Sequence, residues 1–235
     1  GVLASPIASL EELALTAKVA RGIGTNNLDH RLRRVDFRDQ ANDPVAPILG
    51  CSIADLEQAS SVLVVGSNLR KEVPLIAHRV RQGAVRRSAK VSFINPRSYD
   101  VRFPVTANLT SNGLGMAQHL AAVLAASLKA QGRALPSNVA AALEGVVPAT
   151  QHEAVAATLA AGGLHVILLG ALAQHHAAYS ELRALALALA GVTATSIAIA
   201  PAVAEHGGHY TARADANHRS VLEEILAQPL CSGSQ

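Results

Sequence analysis

The sequence has few of the residues that build redox centres, membrane spans or aromatic recognition surfaces. Only two cysteines, Cys51 and Cys231, occur among its 235 residues, and they form no CxxC pair. Their spacing therefore gives no support for a structural zinc or iron–sulfur site. Tryptophan is absent and aromatic residues make up only 3% of the chain, so the core must be built from Ala, Val, Leu and Ile. No apolar run reaches the roughly 18 residues that a membrane-spanning helix needs, and we predict no direct membrane insertion.

Charge is also sparse. Charged residues make up 16% of the chain, the formal net charge is +3, and half of the residues are hydrophobic. This balance excludes a wholly disordered protein. Basic residues cluster within 31–38 and 70–97, but a nucleic-acid site would pair them with aromatic stacking residues or a groove-reading motif. Neither is visible, so we predict solvated or subunit-contact arginines and no nucleic-acid partner.

Short apolar runs alternate with segments of helical periodicity, which predicts an α/β fold with a parallel sheet built from Rossmann-like strand–helix–strand units. Several runs end at Gly or Pro, as buried parallel strands commonly do. The predicted strands are Ser61–Val65, Lys90–Ile94, His165–Leu169 and Thr193–Ala200, and the predicted helices are Leu10–Ala20, Pro74–Gln82, Thr110–Gln131, Ser137–Gly145, Glu153–Ala161 and Ala177–Ala190.

This order of elements predicts four segments along the chain. They are an N-terminal helix and loop segment (1–60), a first Rossmann-like unit (61–110), a helical connection (111–162) and a second Rossmann-like unit with a C-terminal helix (163–235). The two units align without gaps at an offset of 104 residues, which fits either a duplication or a common unit used twice. Because the chain starts at Gly1 and its one Met is Met116, we expect it to be part of a longer protein.

Two turns at predicted strand ends are candidate ligand sites, although neither is specific by itself. Gly66 follows the first strand but lacks the further glycines of a dinucleotide-binding GxGxxG turn. Arg97 follows the second strand, where it could clamp a phosphate or simply lie on the surface. The histidine pairs 175–176 and 206/209 have no carboxylate that clearly completes a metal-ligand set. No Gly-x-Ser-x-Gly elbow or catalytic triad is apparent.

Taken together, several segments are more specific. The stretch 24–29, Gly-Thr-Asn-Asn-Leu-Asp, resembles the GTNN-x-D segment of the molybdopterin oxidoreductase superfamily, which includes formate dehydrogenases. Residues 62–68 and 92–97 resemble its VG-x-N and IDPR turns. The longer stretch 24–37 is similar to one branch, the large iron–sulfur subunit of respiratory complex I, the NADH-quinone oxidoreductase. Residues 207–213 resemble a degenerate copy of that branch's Gly/Asn-rich loop.

The resemblance implies a molybdopterin-oxidoreductase fold whose pocket is vestigial. In the complex I branch the iron–sulfur clusters belong to an N-terminal region that this sequence lacks, and the C-terminal region generally holds no molybdopterin. We therefore expect no cofactor in this chain, no metal ligand and no catalytic residue. The candidates for a vestigial pocket are Gly24, Thr25, Asn26, Asn27, Gly66, Asn68, Asn95 and Arg97.

Three departures from the cofactor-binding members support this expectation. Val35 stands where formate dehydrogenases carry the Cys or selenocysteine that ligates the metal, and its side chain has no donor atom. Asn95 replaces the Asp of IDPR, and Ser98 replaces the Arg that often follows it. Each substitution removes a group that the cofactor-binding members use.

Two hypotheses of different classes follow from the resemblance. In the first, the chain is a non-catalytic structural module of bacterial complex I on the cytoplasmic side of the inner membrane. Its partners would be other complex I subunits and the iron–sulfur region of its own parent chain, and it would have no activity alone. In the second, it is part of a working, formate dehydrogenase-like molybdopterin oxidoreductase that binds a guanine-dinucleotide cofactor. The residue at position 35 favours the first.

Overall fold

The computed structural model describes residues 1–5, 8–29, 36, 38–39, 51–193 and 196–199. The chain divides into two compact units. The first comprises residues 1–34, 39–47 and 203–235, and the second comprises residues 35–38 and 48–202. The four-segment division along the sequence stays a prediction. Among the described residues, no helix is both long and apolar enough to span a bilayer.

The described part of the first unit contains one helix and a short pair of strands. Helix α1 (Leu10–Gly22) begins at Ser9, whose hydroxyl accepts a hydrogen bond from the Glu12 N–H while the Glu12 carboxylate accepts one from the Ser9 N–H. This reciprocal capping box confirms the predicted helix start. Strands β1 (Val2–Leu3) and β2 (Leu28–Asp29) pair in parallel. Two-residue strands have no periodicity that a sequence could reveal, and we did not predict them.

The second unit is an α/β structure around a five-stranded parallel sheet with the order β5-β4-β3-β6-β7. Its elements are β3 (Ser61–Val65), α2 (Leu69–Glu72), α3 (Pro74–Arg86), β4 (Lys90–Asn95), β5 (Ala107–Thr110), α4 (Gly115–Gln131), α5 (Ala140–Leu143), α6 (Thr150–Ala160), β6 (His165–Leu169), α7 (Ala171–Gln174), α8 (Tyr179–Thr193) and β7 (Ser196–Ile199). The predicted parallel pairs β3/β4 and β6/β7 are confirmed.

The two central strands are buried on both faces. Every residue of β3 and β6 is buried, because successive side chains of a strand point to opposite faces and both faces are covered. Leu63, Val65, Ile167 and Leu169 pack in one cluster with apolar residues of α4 and α8. The alternate residues of the same strands pack in a second cluster with apolar residues of α3. Continuous apolar runs were therefore the correct signal for these strands.

Several predicted boundaries are wrong. Thr110 ends the edge strand β5 and does not begin a helix; the long helix starts only at Gly115. The strand was missed because only one of its four side chains, Leu109, is buried. The predicted helix Ala177–Ala190 begins at Tyr179 and extends to Thr193, which the prediction had assigned to the last strand. Residues 137–145 form a 3₁₀ turn followed by the single turn α5.

A pair of histidines, His119 and His152, joins α4 to α6. His152 is buried, and its Nδ1 accepts a hydrogen bond of 2.9 Å from the Ala149 N–H at the start of α6. With Nδ1 thus unprotonated, Nε2 donates to Nδ1 of His119, also at 2.9 Å. Burial lowers the pKa of His152, and the charge that His119 can carry lowers it further.

The neutral form of His152 is therefore the form that the fold requires. The unfolded chain takes up this proton below a pH of about 6.5, whereas the folded chain resists it, so stability falls as the pH decreases through this window. We expect the urea midpoint to be lower at pH 5 than at pH 7.5. In the variant His152→Asn, whose amide oxygen can still accept from Ala149, the decrease should be smaller. An equal decrease in both proteins would contradict this assignment.

Candidate functional site

At the carboxyl ends of β3 and β6, the chain continues in opposite directions along the strand order of the sheet. From β3 the chain continues to β4 on one side, and from β6 to β7 on the other. Ligands of open α/β sheets bind at such a switch point. A glycine directly follows each strand, Gly66 after β3 and Gly170 after β6, and the facing turns that contain them form the candidate site.

These two turns touch through their backbones. The Gly66 carbonyl accepts hydrogen bonds from the N–H groups of Leu172 (2.9 Å) and Ala173 (3.3 Å). A Cβ at Gly66 would lie 2.4 Å from the Ala173 nitrogen, and a Cβ at Gly170 would lie 2.2 Å from the Ser67 Cβ. Gly66 also has a φ of +63°. The glycines at this edge therefore allow one turn to pack directly on the other.

A carboxylate lies between the turns. Oε2 of Glu72 accepts hydrogen bonds from the Ser67 hydroxyl (2.8 Å) and from the Ala171 N–H (3.0 Å), and Oε1 accepts one from the Asn68 N–H (2.8 Å). Asn68 thus contributes its backbone at this edge. The Glu72 carboxylate joins the turn after β3 to the turn after β6.

Asn95 holds the same turn from the neighbouring strand. Its side-chain oxygen accepts a hydrogen bond from the Ser67 N–H (2.8 Å), and its amide nitrogen donates one to the Ser67 carbonyl (3.0 Å). Asn95 is buried. A carboxylate here could accept the first bond but could not donate the second. The residue that departs from the IDPR pattern therefore has a function of its own in the fold.

The remaining candidates are engaged elsewhere. Arg97 is exposed, and its guanidinium carbon lies 5.3 Å from the centre of the Tyr99 ring. Ser98 accepts a hydrogen bond from the Asn108 amide. Gly24 has a φ of +86° in the turn that follows α1, and the Thr25 hydroxyl accepts from the Asn27 N–H. Gly24, Thr25, Asn26 and Asn27 belong to the first unit, where they connect the end of α1 to β2.

The stretch that contains position 35 is described only in part. The Asp36 side chain is almost fully buried and makes a two-point contact with Arg38, and it also accepts hydrogen bonds from the backbone and the hydroxyl of Ser180. The Arg38 guanidinium holds the pKa of Asp36 well below its usual range. Asp36 therefore binds the start of α8. Val35, Arg31, Arg33 and Arg34 lie outside the described residues.

Among the described residues, no group of three or more His, Cys, Asp or Glu side chains could hold a metal ion. His175 and His176 instead contact the backbone carbonyls of Ala171 and Gly113. Cys51 is a free thiol whose pKa is raised by burial and by the nearby Asp55 charge. Cys231 and the histidines at 206 and 209 lie outside the described residues, as does the loop 207–213.

Several arginines of the basic cluster 70–97 are paired within the chain. Arg79 lies 2.9 Å from the Glu57 carboxylate, and Arg70 donates to the Asp100 carbonyl at 2.8 Å. Arg97 stacks on Tyr99. These three arginines therefore have partners within the chain and need no polyanionic partner to account for their positions. Absence of a nucleic-acid partner stays a prediction.

The sequence did not identify Glu72 and Ser67, which join the turn after β3 to the turn after β6 at the carboxyl edge of the sheet. Glu72 was one acidic residue beside Arg70 and Lys71 and had the appearance of a surface charge. Its position six residues after the turn glycine was the available signal. The pairing of Ser67 with Asn95 depends on the register of β3 with β4, which the sequence does not specify.

The family to which this fold and edge belong follows from comparison with known proteins. The family model described as molybdopterin oxidoreductase matches residues 1–221. The chain therefore belongs to the molybdopterin oxidoreductase family, and its parallel α/β sheet is consistent with that fold. No sequence among the curated proteins matches the chain significantly.

The family implies a molybdopterin cofactor, and the described part of the edge does not fit one. A dinucleotide at a switch point directs its pyrophosphate toward backbone N–H groups of the glycine turns. Here the N–H groups of Asn68 and Ala171 donate to Glu72, and a second anion beside that carboxylate would be repelled. Gly66 and Ala173 also pack so closely that not even a Cβ fits between these two residues.

Proposed function

We propose that this chain is a non-catalytic structural module of the peripheral arm of bacterial complex I, with a degenerate molybdopterin-type pocket. The resemblance of residues 24–37 to the large iron–sulfur subunit supports this assignment. The observation that supports the non-catalytic part is the edge between β3 and β6, where the Glu72 carboxylate accepts hydrogen bonds from backbone N–H groups that a nucleotide phosphate would need. Val35 adds a second, independent argument, because it cannot ligate a metal.

A structural module in this position would act through its surfaces. Its partners would be other complex I subunits and the iron–sulfur region of its own parent chain, on the cytoplasmic side of the inner membrane. Electron transfer would run through clusters in that other region, and this chain would contribute no redox centre.

The test of this proposal is the assembly in which the protein occurs. The parent protein is tagged in its own cell, the membranes are solubilised gently, and the tagged complex is separated on a native gel. We expect it to co-migrate with NADH-dependent dye reduction and bound flavin, while a tagged unrelated protein does not. Co-migration with formate-dependent dye reduction and molybdenum would contradict the proposal and support the formate dehydrogenase-like alternative.

A further inference from the structure

The two turns at the switch point bring three hydrogen-bond donors onto one carboxylate. The donors come from both turns: the Ser67 hydroxyl and the Asn68 N–H follow β3, and the Ala171 N–H follows β6. Hydrogen bonds to an ionised acceptor are about twice as strong as neutral ones. The Glu72 carboxylate therefore connects two segments that are far apart in sequence, since Glu72 and Ala171 are 99 residues apart.

We propose that Glu72 is a built-in anion that occupies the place of a ligand phosphate and keeps this edge of the sheet closed. In nucleotide-binding α/β sheets the backbone N–H groups at this point serve an external anion. Here the chain supplies the anion itself, and no ligand is needed to accept hydrogen bonds from these donors. This inference deepens the degenerate-pocket part of the proposed function and is independent of which assembly contains the chain.

Asn95 fits this arrangement because it is neutral. It contacts both backbone groups of Ser67, whose hydroxyl donates to Glu72. An Asp at position 95 would place a second carboxylate against Ser67, the residue that already donates to the Glu72 carboxylate. This second carboxylate would also lie next to the Ser67 carbonyl oxygen. Asn at 95 and Glu at 72 are therefore expected to be energetically coupled.

The first experiment removes the built-in anion and offers an external one. The variant Glu72→Ala is compared with wild type and with Glu153→Ala, which removes the same charge from an exposed side chain on α6. We expect Glu72→Ala to lower the melting temperature by about 5–10 °C, because three donors lose their acceptor. Sodium pyrophosphate, at ionic strength matched with NaCl, should restore several degrees in Glu72→Ala and give no such gain in the other two proteins.

Two outcomes of this experiment would overturn the inference. In one, pyrophosphate stabilises wild type as much as Glu72→Ala, so that the edge binds an anion with Glu72 in place. In the other, Glu72→Ala gains nothing from pyrophosphate, so that the three donors do not form an anion site. Either result would leave the co-migration test of the assembly unaffected, so the two proposals fail separately.

A second experiment does not require Glu72→Ala to fold. Asn95→Asp is introduced into wild type and into Glu72→Gln, which keeps the shape of the side chain without its charge. We expect the loss of melting temperature from Asn95→Asp to be clearly smaller in the Glu72→Gln background, because the like-charge repulsion is absent there. Equal losses in both backgrounds would show that the two positions are not coupled and would overturn the inference.

Discussion

Replacing Gly66 by Ala is expected to lower the free energy of unfolding by about 2–4 kcal/mol. Two costs combine at this position. The φ of +63° is a conformation that a residue with a Cβ adopts only with strain. The added methyl would also lie 2.4 Å from the backbone nitrogen of Ala173, which cannot move without displacing the turn after β6.

Urea unfolding at equilibrium measures this loss, and Gly191→Ala is the matched control. Gly191 lies in α8, and a Cβ there meets nothing within 4 Å. Because Ala is the better helix residue, this control should be neutral or stabilised by up to about 1 kcal/mol. If Gly66→Ala is as stable as Gly191→Ala, the two turns do not pack as described.

Replacing His165 by Ala is the second large expected effect, a loss of about 3–4 kcal/mol. His165 begins β6 and is buried, and its Nδ1 accepts a hydrogen bond of 2.7 Å from the Ser61 hydroxyl. Its other ring nitrogen contacts the carbonyl of Ala161. Truncation leaves the buried Ser61 hydroxyl without this partner, removes the contact with the Ala161 carbonyl and opens a cavity at the start of the two central strands.

The matched control for this prediction is His78→Ala, because His78 is an exposed histidine on α3. Its replacement should change the free energy of unfolding by no more than about 0.5 kcal/mol. A His165→Ala variant that unfolds at the same urea concentration as the control would show that the Ser61–His165 contact does not stabilise the sheet.

The central sheet was predictable because its strands are buried on both faces. Short, largely apolar runs that stop at or shortly before Gly or Pro identified β3, β4 and β6, and the predicted strand Thr193–Ala200 contains all of β7. The offset of 104 residues between the two predicted units has a structural counterpart. Ser61 pairs with His165 and Val65 with Leu169, so the aligned runs are adjacent strands in register.

The edges of the fold were less predictable for a physical reason. Strand β5 buries only Leu109, and β1 and β2 have two residues each, so no periodicity distinguishes them from loops. The start of α8 depends on contacts that are distant in sequence, among them the hydrogen bonds that Ser180 donates to the Asp36 carboxylate. Such contacts are a product of the folded structure and leave no local pattern.

The residues of the candidate site were named through resemblance, and the contacts that they make were not predicted. Gly66, Asn68 and Asn95 do meet at the carboxyl edge of the sheet, whereas Arg97 stacks on Tyr99. Glu72 was not predicted, because an acidic residue next to Arg70 and Lys71 resembles an ordinary surface charge. Its role depends on Ala171, which follows a different strand and could be identified only from the structure.

The central claim is that this member of the molybdopterin oxidoreductase family holds no molybdopterin, and elemental analysis tests it most directly. The chain is expressed with molybdate and a complete cofactor pathway, purified, and measured for metal by mass spectrometry and for guanine nucleotide released on denaturation. The variant Val35→Cys, which restores a thiolate at the family's metal-ligand position, is measured in parallel. We predict no molybdenum, tungsten or guanine nucleotide above background in either protein. Near-stoichiometric metal with guanine nucleotide in the wild-type chain would contradict the account.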